Sequence, residues 1–270
     1  NYGDSFENLK KSMQDFINSI PFYGQVFING DDLNSINICK KINRDIFTFG
    51  LKKHNNLYAK NIILYDKKMK FKLIYNNQVY SLATNLIGNH NVYNILAAIS
   101  VCLHLDIKIT KVIQSVSTFF GVSRRLDIHH NIQINKKNII TIDDYGHHPT
   151  EIKSTIETVK KIYPKKNILM VFQPHRYSRT KNSWAYLVKV LNSINNIIIL
   201  PTYSAGEKKT IYDSKFLYKK LTIKNKFYVK TIEQVIDTLK NEIGNKTILL
   251  LQGAGDIKNI INILYENDTK

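Results

Sequence analysis

The sequence predicts an α/β protein whose second half forms a doubly wound, mostly parallel sheet. Three observations carry that expectation. From Leu126 onward, short apolar runs alternate with segments of helical spacing, the pattern of successive β-α units. The stretches following those runs collect Asp, His, Arg, Tyr and Gly, as loops beyond the carboxyl ends of parallel strands do when they bind ligands. At 270 residues and 43% hydrophobic, the chain can bury the cores of two domains of ordinary size.

The elements follow in order. Phe6, Leu9, Met13, Phe16, Ile17 and Ile20 recur at helical spacing, and Pro21 ends that helix. Gly24 to Asn29 alternates as a strand. Asp31 or Asp32 caps a short helix through Lys41. Ile46 to Phe49 and Leu57 to Tyr65 read as strands. Met69 to Tyr75 and Gln78 to Leu82 form a hairpin about Asn76-Asn77, a pair that tolerates positive φ. Small and apolar residues from Ile95 make a buried helix, with His90, Asn91 and Asn94 at its N-terminal end. Asn91 and Asn94, three apart, share a face, and two amides with an imidazole exceed what a cap needs. We expect them to contact a nucleotide. A helix from Thr110 to Phe119 leads to Gly121, where the domain boundary is placed: residues 1–121 and 122–270.

The second domain opens with a hairpin, Leu126–Asn135 and Asn138–Ile142. The chain then runs helix Thr150–Tyr163, strand Asn167–Phe172, helix Thr180–Ile194 and strand Ile197–Leu200. A short helix near Asp213–Lys220 follows, then strand Lys226–Val229, helix Ile232–Ile243, strand Thr247–Leu251 and helix Ile257–Tyr265. Four loops at one sheet edge should build one pocket. Its lining is expected from Asp144, His147, His148, His175, Arg176, Arg179, Tyr203 and Glu207. The Gly253-Ala254-Gly255 turn lacks the third glycine of a dinucleotide fingerprint, so close backbone packing is the simpler reading.

Composition limits the partners. Net charge is +18, yet 34 of the 39 basic residues are lysines spread along the chain with many Asn and Ile. Those three residue types share AT-rich codons, so base-composition drift accounts for the charge, and no nucleic acid is expected. Four of the five arginines sit in two clusters, Arg124-Arg125 and Arg176/Arg179. Planar forks there suit carboxylate or phosphate. Cys39 and Cys102 share no metal-ligand spacing, and no metal site is expected in the chain. No apolar run approaches a membrane span and no signal peptide is visible. We therefore expect a cytoplasmic protein with no membrane partner.

Six blocks together resemble the Mur ligases. They are Gly88-Asn89-His90-Asn91-Val92-Tyr93-Asn94, Gly121-Val122-Ser123-Arg124-Arg125, Asp143-Asp144-Tyr145-Gly146-His147-His148-Pro149-Thr150-Glu151, Phe172-Gln173-Pro174-His175-Arg176-Tyr177-Ser178-Arg179-Thr180, Tyr203-Ser204-Ala205-Gly206-Glu207 and Gln252-Gly253-Ala254-Gly255-Asp256. The opening, Tyr2-Gly3-Asp4 through Phe22-Tyr23-Gly24, also looks like the family's central domain. The Asp-Asp-Tyr and Gln-Pro-His-Arg blocks resemble the member that adds L-alanine to UDP-N-acetylmuramate. The resemblance implies a partial central ATPase-type domain followed by a doubly wound Rossmann-like C-terminal domain. It implies ATP-dependent amide synthesis through an acyl phosphate in peptidoglycan precursor synthesis, with ATP between the two domains.

By the same resemblance His90, Asn91 and Asn94 contact the nucleotide. Arg125, Asp144 and His148 are catalytic. Tyr145, His147, His175, Arg176, Arg179 and Tyr203 bind substrate. The family's Gly-Lys-Thr P-loop and its Mg2+ ligands have no counterpart here, since no Gly-x-x-x-x-Gly-Lys-Ser/Thr occurs in the chain. The chain is thus expected to be the C-terminal portion of such an enzyme, inactive alone. The alternative is a non-catalytic or degenerate carboxylate-binding module.

Overall fold

The computed structural model describes residues 5–268 except 41, 66, 67 and 245. Tyr2-Gly3-Asp4 of the opening block and Lys41 lie outside the described residues. The chain divides into two compact units, Asn1–Gly121 and Val122–Lys270, each with its own sheet.

The first unit runs α1 (Phe6–Asn18), β1 (Gln25–Asn29), α2 (Leu33–Cys39), β2 (Asp45–Gly50), β3 (Leu57–Tyr65), β4 (Lys68–Tyr75), β5 (Gln78–Thr84), α3 (Asn89–His104) and α4 (Ile109–Thr118). Its strands lie in sequence order. β1, β2 and β3 are parallel, and β3, β4 and β5 form an antiparallel meander. Asn76 and Asn77 turn the β4–β5 hairpin at φ 47° and 62°, the left-handed pair a two-residue turn requires. Asp32, not Asp31, caps α2, accepting from Ser35 N at 2.9 Å. α3 packs on β1, β2 and β3 through buried Val92, Ile95, Leu96 and Ile99.

Asp31 instead knots the strand ends. Its carboxylate accepts from Leu51 N (2.6 Å), Asn55 Nδ2 (3.0 Å) and the Tyr93 hydroxyl (2.9 Å). Burial and that carboxylate push the Tyr93 phenol up to about 12. Tyr93 belongs to α3, so the loops after β1 and β2 are tied to the helix carrying Asn91 and Asn94.

The second unit runs β6 (Asp127–Ile134), β7 (Lys137–Asp144), α5 (Pro149–Ile162), β8 (Asn167–Phe172), α6 (Tyr177–Asn182), α7 (Trp184–Leu191), β9 (Asn196–Ile199), α8 (Ser214–Lys220), β10 (Asn225–Tyr228), α9 (Ile232–Glu242), β11 (Thr247–Gln252) and α10 (Asn259–Asp268). Strand order is β10-β9-β8-β11-β7-β6, with every pair parallel except β6–β7. One sheet face packs a core of Leu169, Val171, Ile198, Leu249 and Leu251 against Val235 and Leu239 of α9 and Ile260 and Leu264 of α10. The alternate residues, among them Met170, Phe172, Ile197 and Leu250, are also buried, and α5 and α7 pack on each other. The chain therefore leaves β8 for one face and β11 for the other, a switch point where a crevice opens beyond the strand ends.

Two elements differ from the sequence expectation. The helix expected over Thr180–Ile194 is two helices. α6 starts early because Arg176 takes a left-handed N-cap position (φ 67°) and the Glu207 carboxylate accepts from Ser178 N. Ser183 then caps α6 and starts α7. A 3₁₀ turn, Asp256–Lys258, precedes α10.

Candidate active site

The loops after β7, β8 and β9 meet in a line of four rings. Tyr145 and His147 lie edge to face at 5.5 Å between centroids. His147 and His175 follow at 5.4 Å, and His175 stacks on Tyr203 at 5.3 Å and 19°. Backbone pairing holds the last step: Arg176 N donates to Tyr203 O and Tyr203 N to Pro174 O, both at 2.8 Å. The Gln252–Gly255 turn closes the crevice beside it. A Cβ on Gly253, at φ 152°, would sit 2.8 Å from Gln173 O, and one on Gly255 would meet Tyr203 Cβ at 2.9 Å. The two glycines of Gly-x-Gly are thus needed for close packing.

Arginines surround the rings. The Arg124 and Arg125 guanidiniums stand 5.2 and 5.5 Å from the Tyr145 ring. They have separate tasks. Arg124 is a clasp: Nε donates to Asp143 Oδ2 at 2.9 Å and an Nη to Gly253 O at 2.6 Å, joining the ends of β7 and β11. Arg125 is half exposed, and its guanidinium meets Glu151 Oε1 at 3.5 Å. Its donors are available to an anion. An Nη of Arg179 donates to His175 Nδ1 at 3.1 Å. Burial and the adjacent Arg176 lower the Arg179 pKa, so a bound anion would relieve that crowding. The Arg176 Nε is buried with no hydrogen-bond partner.

The two central histidines hold opposite tautomers. His175 Nδ1 accepts from Arg179, which leaves its proton on Nε2. His147 Nδ1 donates to Tyr145 O at 3.1 Å, which leaves Nε2 as an acceptor. Burial pushes both pKa values below the ordinary imidazole value, and Arg179 adds to this at each ring. Both are neutral near pH 7.

The structure separates His147 from His148. His148 is exposed and is the N-cap of α5, its Nδ1 accepting from Thr150 N at 3.3 Å. Glu151 completes a capping box by accepting from the backbone N–H groups of His147 (3.0 Å) and His148 (3.1 Å). Burial would raise the Glu151 pKa, but those two donors and Arg125 hold it low. His148, expected to line the pocket, is committed to the helix.

Asp144 stands at the end of β7. It is buried, and its acceptors are taken by Leu126 N (3.0 Å), Gly146 N (2.9 Å), Thr155 Oγ1 (3.2 Å) and Gln252 Nε2 (2.7 Å). Gln252 also donates to Gly146 O. Asp144 therefore shapes the turn that presents His147. Glu207 accepts from the Ser178 hydroxyl (2.6 Å) and amide (3.0 Å) and anchors the Tyr203 loop, where its charge acts on His175 and Arg179.

Sequence reasoning passed over Arg124, Glu151 and Gln252 as site residues. Glu151 carried a signal, standing three residues beyond the cap with Pro149 at the first helical position. Gln252 opens one of the six blocks, but its bonds to Asp144 and Gly146, distant in the chain, do not show in the sequence.

In the first unit Asn91 and Asn94 are in contact, Asn94 Nδ2 donating to Asn91 Oδ1 at 3.2 Å. Asn91 is buried and its own amide donates to Ile87 O at 2.9 Å. Asn94 is exposed and presents the pair outward. His90 stands in the same first turn of α3. Among the described residues, no three His, Cys, Asp or Glu side chains gather as a metal site.

Comparison with known proteins agrees with this architecture. Residues 1–102 match the Mur ligase middle domain, and residues 124–255 match the Mur ligase, glutamate ligase domain. A UDP-N-acetylmuramate–L-alanine ligase of Vesicomyosocius okutanii is 36% identical over 99% of this chain and 58% of its own length. The ligase of that name from Wigglesworthia glossinidia brevipalpis is 38% identical over 97% and 58%. The chain thus spans somewhat over half the length of these relatives. The crystal structure of a UDP-N-acetylmuramate-alanine ligase from Thermotoga maritima matches 100% of this chain and 56% of its own, with TM-score 0.75 at 24% identity. The MurF ligase of the same organism, in complex with ADP, matches 98% and 58%, with TM-score 0.74 at 14%. At those identities the structural likeness is one of fold. The chain belongs to the Mur ligase family and carries its middle and glutamate ligase domains.

Proposed function

We propose that this chain is part of an ATP-dependent ligase joining L-alanine to UDP-N-acetylmuramate in cytoplasmic peptidoglycan precursor synthesis. The observation that carries the reading is the neutral His147, with a free Nε2 acceptor, one ring away from the Arg179–His175 bond. Amide formation from an amine needs a base and a grip on an anion side by side, and this site offers both. The relatives named for that reaction give the substrate class.

The residues divide the work. Arg179 and Arg176 hold the alanine carboxylate, and the unpartnered Arg176 Nε is one donor for it. His175, kept neutral with its Nε2 proton outward, is a second. When the amine nitrogen bonds to the acyl carbon of the activated muramate, the carbon–oxygen bond to phosphate breaks and phosphate leaves with the electron pair. The surplus proton on nitrogen passes to His147 Nε2. We assign the base to His147 in place of His148. Arg125 faces the phosphate that departs. Asp144 acts through the Gly146 turn as a positioning residue.

ATP is the source of the activated carboxylate in this reading. Toward it the first unit offers the exposed Asn94 amide, and the ADP complex of the MurF neighbour supports a nucleotide. Among the described residues no three His, Cys, Asp or Glu side chains gather around a metal position, and no step is assigned to Mg2+. Replacing His147 by Gln in a complete ligase carrying this chain tests the base. The turnover number should fall by about 100-fold or more, the lower range for lost general-base catalysis, with His148→Gln close to wild type. Equal loss in both variants would remove the assignment.

A further inference from the structure

The outward face of the β3–β4–β5 meander carries charge that the ligase reading does not use. Met69, Phe71, Leu73 and Leu82 turn inward and are buried. On the opposite face the register sets Lys60 directly across from Lys72, Ile63 across from Lys70, and Tyr65 across from Lys68. Like charges directly opposed on a sheet are destabilising. No ion pair among the described residues engages any of these four lysines. Two are ordered by other means: Lys72 Nζ donates to Ser81 Oγ at 2.7 Å, and the Lys70 ammonium stands 4.0 Å over the Tyr65 ring. Residues 57–84 hold five lysines, no arginine and one acid, Asp66, whereas the whole chain has 39 basic and 21 acidic residues. The segment is thus basic with almost no acid to balance it, and the strand register brings four of its lysines to one face.

Apolar side chains interleave with the charge. Ile63 is 55% exposed, Tyr65 61% and Val79, on the neighbouring β5, 58%. Lysine tips on apolar stems beside exposed aliphatic and tyrosine side chains match a bilayer interface, where the bodies seat among headgroups and the ammonium groups reach lipid phosphates. Nucleic acid is matched less well, since the exposed aliphatic Ile63 and Val79 have a place at an acyl boundary and none against a phosphodiester backbone. We propose that this face docks on an anionic lipid surface, with Lys60, Lys68, Lys70 and Lys72 against the phosphates and Ile63 and Tyr65 at the acyl boundary. Such attachment needs no spanning helix, and no helix among the described residues is long and apolar enough to cross a membrane. The inference stands apart from the ligase reading.

Flotation of the chain with vesicles tests it, using phosphatidylcholine alone and phosphatidylcholine with phosphatidylglycerol. One variant changes Lys60, Lys68, Lys70 and Lys72 to Ser. A control of equal charge changes the exposed Lys161, Lys165, Lys219 and Lys230 to Ser. A third changes Ile63 and Tyr65 to Ser at unchanged charge. Circular dichroism checks that all three fold. We expect binding only to the anionic vesicles, a loss of at least about tenfold in the first variant, and retention within about twofold in the control. The third variant should lose at least about threefold, as apolar contact is removed. Equal loss in first variant and control would reduce the effect to net charge and overturn the proposal. So would indifference to Ile63 and Tyr65, or tighter binding of duplex DNA through the same four lysines.

Discussion

The Arg179 guanidinium donates to Nδ1 of His175 across 3.1 Å, and this bond decides the imidazole tautomer. A guanidinium has no lone pair to give, so His175 must accept there and carry its proton on Nε2. The neighbouring His147 is fixed the other way by Tyr145 O. Two adjacent imidazoles thus present a donor and an acceptor.

That arrangement predicts a pH dependence. Burial, the largest cause, lowers both histidines from the ordinary value of 6.5. A lowered imidazole favours its neutral form in the folded protein. Its stabilising contribution is complete above pH 6.5 and is lost as pH falls through the depressed folded values. Unfolding by urea across that acid range should show declining stability, and the double variant His147→Gln/His175→Gln should flatten the decline. An unchanged slope would place the acid sensitivity elsewhere.

Asp144→Ala should destabilise the second unit by at least about 3 kcal/mol, since several buried donors lose their acceptor together. Chemical denaturation monitored by the chain's one tryptophan, Trp184 in the second unit, measures it. A cost below about 1 kcal/mol would mean that water replaces the carboxylate, and Asp144 would again be open to a catalytic role.

The segment from residue 122 to 270 should unfold cooperatively when expressed alone, because its sheet and both helix layers are its own. A broad, non-cooperative transition would show that it borrows stability from the first unit.

Much of this was legible in the sequence, and the exceptions are instructive. Strand Asn167–Phe172 was read to the residue, because its apolar run is bounded by a polar Lys-Lys pair and by the Gln-Pro turn. The Asn76-Asn77 hairpin was legible because its turn chemistry is local. The insertion of β11 between β8 and β7 was not, since parallel order is set by non-local packing. The early start of α6 depends on Glu207 and on the left-handed Arg176, neither of which shows in helical periodicity. His147 and His148 are adjacent and chemically identical. Only the capping role of His148 tells them apart.

The chain alone should release no phosphate from ATP in the presence of UDP-N-acetylmuramate and alanine. It contains no Gly-x-x-x-x-Gly-Lys-Ser/Thr sequence to cradle the phosphates. Alanine-dependent phosphate release by the purified chain would contradict this.

The most direct test of the amino-acid site is the Michaelis constant for L-alanine in a complete ligase carrying Arg179→Lys. Lysine keeps the charge but loses the planar fork and the bond that orients His175. We expect a loss of about 1.5–3 kcal/mol in kcat/KM, expressed mainly as a raised constant for alanine with that for ATP unchanged. Unchanged constants for all three substrates would contradict the placement of alanine at Arg179.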